Sequence, residues 1–459
     1  MSTTLIRTPL LREEFFVIAR LAATMATTRM LSYVSGIITM SILGHYSTVG
    51  MASLTLAMAI QQVMVAASFS GLVGTETEVA KRHGAGEHER ATAFVLSSIL
   101  VAFGMGCLMS ALSVIVSWVF ASRHAADGVD AFSPLQTIGY GMPAFCIYLS
   151  ISFYFEATQR PRFVLLLAIL GTSVTALATF WLVHASSALG ISSESSAALA
   201  LTLSRYVLAA VALAMVLWMN RRGLSAAMGQ IGTCLPHDCL ALLKIGVPAG
   251  FADAMTTVSV SSMTWFVGNL GVVALNAYQI ASQWLGLLML IGAGCATAAT
   301  IRATQAMGAL DRTRAVNAAS AGIMLLLMLD AIAWIAYLAI PGLWAHIYGA
   351  SPEVTRYAIP NQKWATLIFA IECPLILLIG VGRAYRLTVR LPVIKACCFI
   401  LIALPACVCV VRYFSDPLPY LLSGIVPAVL VALLIVAWNM RPIFDSGHAE
   451  TKLNASETR

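Results

Sequence analysis

The sequence predicts an all-α membrane protein with twelve transmembrane helices in two pseudo-symmetric six-helix bundles. Three observations carry that expectation: composition, the length of the apolar runs and an internal repeat. Of 459 residues, 59% are hydrophobic and only 10% charged, with a mean hydropathy of +0.87. A soluble domain is about one-quarter charged, and a soluble chain of this composition would expose far more apolar surface than water tolerates. Composition therefore excludes a soluble enzyme and leaves little chain for any domain outside the bilayer.

Taken in order, the apolar runs cover 16–43, 51–75, 93–120, 135–157, 163–185, 196–219, 242–269, 272–299, 317–340, 357–381, 391–412 and 419–440. Each reaches the roughly 20 residues that a helix needs to cross a bilayer. They lack the alternation of a barrel strand, so helices are expected. With both termini and every second loop on the cytoplasmic side, 21 of the 27 Lys and Arg fall there. Arg123, Arg356, Lys363 and Arg412 fall opposite, and Arg29 and Arg205 lie within spans. This bias predicts cytoplasmic termini in a plasma (inner) membrane. The start, residues 1–14, is polar and lacks the pattern of a removable signal peptide.

The repeat has an offset of 224 residues. Gly44 falls on Gly268 and Ala57 on Ala281, while the loop GAGEHERA at 84–91 falls on GALDRTRA at 308–315, placing Arg90 on Arg314. Six spans separate equivalent positions, so the halves share one orientation and a substrate site is expected between them near the midplane. The expected organisation is a tail at 1–15, a first lobe at 16–219, a linker at 220–241, a second lobe at 242–440 and a tail at 441–459.

Energy for transport has to come from an ion gradient or from the substrate's own gradient. None of the five lysines follows a glycine, which excludes a P-loop. The Gly84/Gly86 and Gly380/Gly382 patterns lack a third glycine and read as turns. No CxxC pair occurs, and the ten cysteines, mostly inside apolar runs, read as small reduced hydrophobes. His83 and His88 read as a solvated pair in a charged loop. No cofactor is expected beyond H+ or Na+ as coupling ion. The expected partners are a small-molecule substrate and the lipid bilayer, without nucleic acid, around a monomer.

Charge inside a span costs several kcal/mol unless it is paired, solvated or neutralised. Three carboxylates lie there: Asp253, Asp330 and Glu372. Each is a candidate for a coupling proton or a sodium ion, and Asp253 and Glu372 are preferred because the helix of Asp330 has no polar neighbours. Glu76, Glu78 and Glu156, at span ends, read as surface charges. At the 224 offset Asp253 corresponds to Arg29, which suggests an Arg29–Asp253 pair that forms in one conformation and parts in another. Gln61, Gln62, Asn276, Gln279, Gln283, Thr256, Thr257, Thr175 and Thr179 either join helices or line a wet cavity. Trp265, Tyr278 and Trp284 are candidates for stacking on a cationic ligand, and Pro143, Pro248, Pro374, Pro405 and Pro427 are candidate hinges.

Several segments resemble the multidrug and toxic compound extrusion (MATE) family: Leu43-Gly44-His45, GAGEHERA at 84–91, AALALTLSRY at 197–206, Ile245-Gly246-Val247-Pro248, Ala277-Tyr278-Gln279-Ile280-Ala281 and GALDRTRA at 308–315. The resemblance covers about 16–440. It implies two bundles around a central cavity and export of organic, often cationic and amphipathic, compounds in exchange for protons or sodium. The family's helix 1 aspartate falls near Thr39 or Ile38, and its helix 5 acidic and amide positions near Thr175 and Thr179, so the first lobe lacks those carboxylates. Thr24 stands where the family's helix 1 has proline. The helix 7 glutamate position reads Thr256, with Asp253 three residues earlier, and the helix 10 acid is retained as Glu372. The resemblance thus assigns ion coupling to Glu372 and Asp253, with Na+ as the metal they would hold. Arg29, Thr39, Thr175, Thr179, Thr256, Gln279 and Gln283 would line the substrate cavity, the first lobe offering a largely neutral, Thr-rich surface. The alternative is a lipid-linked oligosaccharide flippase of the same superfamily, for whose basic cavity Arg29 and Arg205 are the candidates.

Overall fold

Long apolar runs in lipid satisfy their backbone only as helices, and helices are what the chain forms. The structure is a computed structural model that describes residues 8–121, 130, 132–221, 224–268, 270–347, 351–385, 387–414 and 416–444. The first half contains α1 (Thr8–Tyr46), α2 (Thr48–Gly84), α3 (His88–Ala121), α4 (Phe132–Gly139), α5 (Met142–Ala157), α6 (Pro161–His184), the short α7 (Ser186–Leu189) and α8 (Ser193–Met219). The second contains α9 (Leu224–Gly268), α10 (Val272–Gly308), α11 (Arg312–Ala339), the short α12 (Leu343–Ile347), α13 (Pro352–Ala384), α14 (Arg390–Cys398), α15 (Leu404–Tyr413) and α16 (Val426–Phe444).

Among the described residues, ten helices are long and apolar enough to cross a membrane. Helices α4 and α5 reach that length and apolarity only together, bent by 49° at Tyr140 and Gly141, and count as an eleventh span if the pair crosses as one. The uninterrupted run expected at 135–157 is therefore a broken helix. Helix α1 takes the place of the first expected span, but Arg29 and its serines and threonines dilute its apolar character. The eleventh expected run, 391–412, contains a π-helical turn at Phe399–Ala403, which ends two residues before Pro405. A proline in a helix interior removes one hydrogen bond and crowds the preceding turn, and a wider turn is one way to absorb that.

Contact density divides the chain into two compact units, Thr27–Ala254 and the combination of Met1–Ala26 with Met255–Arg459. The boundaries differ from the expected 219 and 242: they fall inside α1 and α9, so each of these helices gives one end to each unit. At 39 and 45 residues, these helices run roughly 60 Å or more at 1.5 Å per residue, long enough to pass through more than one layer of packing.

In the first unit, Leu43, Leu54, Ile138, Val183, Ala197 and Ala198 form a buried cluster. Helices α2 and α9 approach so closely that a Cβ on Gly246 would lie 1.8 Å from the Gly71 carbonyl oxygen. In the second unit, Ala277, Ile280, Ala345, Val354 and Ala358 form a core, and Gly292 leaves room for Phe369 and Cys373. Trp118, Trp181, Trp218 and Trp438 are exposed, the placement expected of side chains that meet lipid or its interface.

The repeat extends to the backbone. Gly86 and Leu310, 224 residues apart in the two polar loops, both adopt positive φ, at 79° and 59°. Glycine takes this conformation freely, whereas Leu310 is strained. Asp311 then caps α11 by accepting from the Arg314 amide at 2.9 Å.

Candidate functional site

The first unit carries its intramembrane charge around α2. The hydroxyl of Ser70 donates to the Asp253 carboxylate. On the preceding residue, the Phe69 ring lies 5.8 Å from the Arg29 guanidinium and packs edge-on against Phe153 at 5.1 Å. Glu156, one turn beyond Phe153, is buried with Arg29 as its cation. Arg29, Glu156 and Asp253 thus lie near the Phe69–Ser70 segment, and Arg29 serves Glu156 as well as being the candidate partner of Asp253. Glu76 and Glu156 are buried at 5% and 7% exposure, which corrects their reading as surface charges. Helix α2 extends past its apolar run to Gly84, so Glu76 stays inside the packed bundle.

Arg205 has a local role. The bend between α4 and α5 takes carbonyls out of the regular helix ladder, although that of Ile138 still accepts from the Gly141 amide at 3.0 Å. Arg205 Nη1 donates to the Ile138 carbonyl at 3.1 Å, Thr202 to Thr137 at 2.7 Å and Tyr206 to Tyr140 at 2.9 Å, while Gln61 reaches Ile138 at 3.4 Å. Three residues of the segment 197–206 therefore stabilise a helix break inside the bilayer, where an unpaired carbonyl would cost several kcal/mol.

Thr39, Thr175 and Thr179 are buried at 0%, 4% and 0% exposure. The Thr39 hydroxyl bonds its own helix at the Ser35 carbonyl, and the Thr179 hydroxyl has no hydrogen-bond partner. These three side chains pack within the unit and do not form the open Thr-rich surface expected of the first lobe, because small β-branched residues fit helix–helix contacts well.

The second unit holds Glu372. Glu372 on α13 forms an ion pair with Lys395 on α14, Oε1 to Nζ 3.0 Å, with the side chains 13% and 11% exposed. The charge count above placed Lys395 in a cytoplasmic loop; it lies instead on α14, inside the helical stretch Arg390–Tyr413. The run 391–412 already contained it, so the signal was present in the sequence. Asp330 on α11 is half-buried, and its Oδ1 has no hydrogen-bond partner. Gln279 and Asn276 are exposed, and Thr256 and Gln283 half-buried. Tyr278 is 2% exposed and so belongs to the core rather than to a stacking surface. Trp284 donates to the Thr366 hydroxyl at 3.0 Å and packs on Trp344 at 5.7 Å. The side chain of Trp265 lies outside the described residues.

Two further acids, at the starts of α1 and α9, escaped the sequence reading. Glu14 is fully buried and accepts from Arg302 Nε at 2.9 Å, Arg302 Nη2 at 2.7 Å and Arg314 Nε at 2.6 Å. Burial by itself would raise its carboxyl, but the bonds and charges of Arg302 and Arg314 outweigh it and hold the group below the ordinary 4.5. Asp238 is 4% exposed and pairs with Arg82 at 2.9 Å, whose guanidinium lies 4.4 Å from the Phe94 ring. The two acids are 224 residues apart, so the repeat would have found the second from the first. In the polar loop, the His83 and His88 Nδ1 atoms are 3.1 Å apart. Among the described residues, no group of three His, Cys, Asp or Glu side chains is arranged to hold a metal.

Bundled apolar helices with paired charges buried inside them define a multi-pass membrane protein built to keep polar groups at bilayer depth. The MatE family model matches residues 25–182 and 248–409, and the chain belongs to that family. A curated relative, "Probable multidrug resistance protein NorM" of Xylella fastidiosa (strain 9a5c), is 26% identical over 308 residues, 66% of this chain and 62% of the relative. The chain thus matches somewhat less than two-thirds of that relative's length. Among solved structures, the eukaryotic MATE transporter AtDTX14 superposes with a TM-score of 0.82 at 16% identity, covering 94% of this chain and 96% of that one. A MOP superfamily transporter from Pyrococcus furiosus superposes at 0.80, with 16% identity and coverage of 95% and 97%.

Proposed function

We propose that the protein is a secondary-active exporter of organic, cationic or amphipathic small molecules, working by alternating access and ion antiport. The observation that carries this reading is the carboxylate of Glu372, nearly enclosed within an apolar helix and held in a charge pair with Lys395. A buried acid is expensive and persists where a cation must be bound and released. Membership of the MatE family and similarity to NorM proteins described as probable multidrug resistance proteins support the same direction.

In this reading Glu372 and Asp253 exchange partners with H+ or Na+. Arg29, Thr256, Gln279 and Gln283 face the substrate, with Thr39, Thr175 and Thr179 supporting the first lobe from within. The protein acts as a monomer in the inner membrane with both termini cytoplasmic, needs no cofactor and catalyses no covalent chemistry. A flippase for lipid-linked oligosaccharides would need a basic cavity. Arg205 is engaged by the α4–α5 bend, which leaves that alternative with Arg29.

The test uses proteoliposomes loaded with tetraphenylphosphonium under an imposed pH or Na+ gradient. Wild type is expected to export the cation against its gradient. Glu372→Gln is expected to lose that export while keeping downhill leak. Uphill export by Glu372→Gln at the wild-type rate would remove ion coupling from this residue.

A further inference from the structure

An ion-coupling carboxylate has to be open to the ion it binds, yet the Glu372 carboxylate already holds a cation belonging to the chain. The Lys395 ammonium sits 3.0 Å from Oε1, both side chains are nearly enclosed, and the ammonium also lies 5.7 Å from the Phe399 ring centre. Lysine supplies a compact point charge on a flexible four-carbon stem, so it can approach and leave a carboxylate without moving its helix. The helix beneath it is also irregular: α14 ends three residues beyond Lys395, at Cys398, and the π-helical turn begins at Phe399, a feature often found at functional sites. On α13, Pro374 lies two residues beyond Glu372. The pair therefore joins two helix segments that both depart from regular hydrogen bonding.

We propose that Lys395 is a tethered competitor for the Glu372 carboxylate: it occupies the position that a transported cation takes, and each cycle exchanges the ammonium for the substrate and back. Lys395 is then a specificity-determining residue. It weakens cation binding at Glu372 when the site is to empty, and it keeps the buried carboxylate neutralised while no substrate is present, as the cost of an unpaired charge in lipid requires. The proposal rests on the assignment of Glu372 to ion coupling made above and extends it, making the same carboxylate a site for a cationic substrate that competes with the coupling ion. If the pair is closed about nine-tenths of the time, the apparent affinity for a competing cation falls about tenfold.

The experiment measures equilibrium binding of tetraphenylphosphonium to the purified full-length protein at constant pH in choline buffer. Lys395→Gln and Lys395→Met are expected to bind about tenfold or more tightly than wild type. Lys395→Arg keeps the tethered charge and is expected to stay near wild type. Glu372→Gln is expected to bind weakly, and Glu372→Gln with Lys395→Gln no better than Glu372→Gln. Added NaCl is expected to compete at about tenfold lower concentration in Lys395→Gln than in wild type. Unchanged or weaker binding in both neutral Lys395 variants, with size exclusion showing folded protein and Glu372→Gln still impaired, overturns the role of Lys395 alone. Wild-type tetraphenylphosphonium affinity in Glu372→Gln overturns this proposal, whereas the assignment of Glu372 to ion coupling falls only if Glu372→Gln still exports uphill in proteoliposomes.

Discussion

Charged side chains in this protein are few, and most of those inside it have a definable partner. Glu14 is the clearest case. Its carboxylate is buried and takes three charge-assisted bonds from Arg302 and Arg314. Replacing it by glutamine leaves the Arg302 guanidinium, itself only 12% exposed, without its counter-ion. Breaking a buried pair from one side costs about 3 kcal/mol; the Arg314 contribution is smaller because that side chain is 39% exposed. Glu14→Gln is expected to lower the thermal midpoint of the detergent-solubilised protein. Because the folded carboxyl lies below its ordinary 4.5, the stabilisation is complete above that value and is lost as pH falls through the lower folded value. The gap in midpoint between wild type and Glu14→Gln should therefore be constant near neutrality and close on acidification below about pH 4.5, as a melting series across pH would measure.

The helices owe their form to exceptions in the apolar pattern. Helix α2 meets α9 at a pair of glycines, and the 1.8 Å that a Cβ on Gly246 would leave to the Gly71 carbonyl oxygen is not a distance the backbone tolerates. Gly246→Ala is expected to push the two helices apart and destabilise the protein by about 1–3 kcal/mol, the usual cost of overpacking. Thermal unfolding would check this, and Gly86→Ala, in open space but at positive φ, should act through backbone strain alone. The α4–α5 bend depends on its neighbours in another way. Arg205→Met keeps the bulk but removes the 3.1 Å side-chain bond to the Ile138 carbonyl, leaving the Gly141 amide at 3.0 Å, and it should cost more stability than Gln61→Ala, whose bond is 3.4 Å long. A measured order opposite to this would mean that Gln61 caps the bend.

For the protein as a whole, the proposed cycle requires buried carboxylates to exchange a protein cation for a mobile one. Arg29 and Asp253 offer one pair and Glu372 and Lys395 another. A double-mutant cycle of Arg29→Ala and Asp253→Ala on substrate export should show a coupling of at least about 1 kcal/mol if the first pair forms during transport, and additive effects if it does not. Fluorescent-protein or phosphatase fusions at the two termini would check the expected cytoplasmic orientation.

Much of this was legible in the amino-acid order, because lipid imposes a strong and local constraint. A span must be long, apolar and helical, so run lengths, the loop cations, the 224-residue repeat and the family resemblance are all readable without coordinates. Glu372 and Asp253 stood out for the same reason, since a carboxylate in such a run is rare. What sequence order conceals is pairing across the fold. Lys395 looked like one more loop cation because it follows Arg390, and only the packing of α14 against α13 turns it into the partner of Glu372. Glu76 and Glu156 looked solvated, but α2 continues past its apolar run at Glu76, and Glu156 at the end of α5 is covered by the helices packed around it. Arg205 looked like a cavity charge, and a bend invisible in the apolar run 135–157 gave it carbonyls to satisfy. Hydropathy is a property of each residue and adds along the chain, whereas the worth of a charge depends on what lies within a few ångströms of it, and that neighbour comes from another helix.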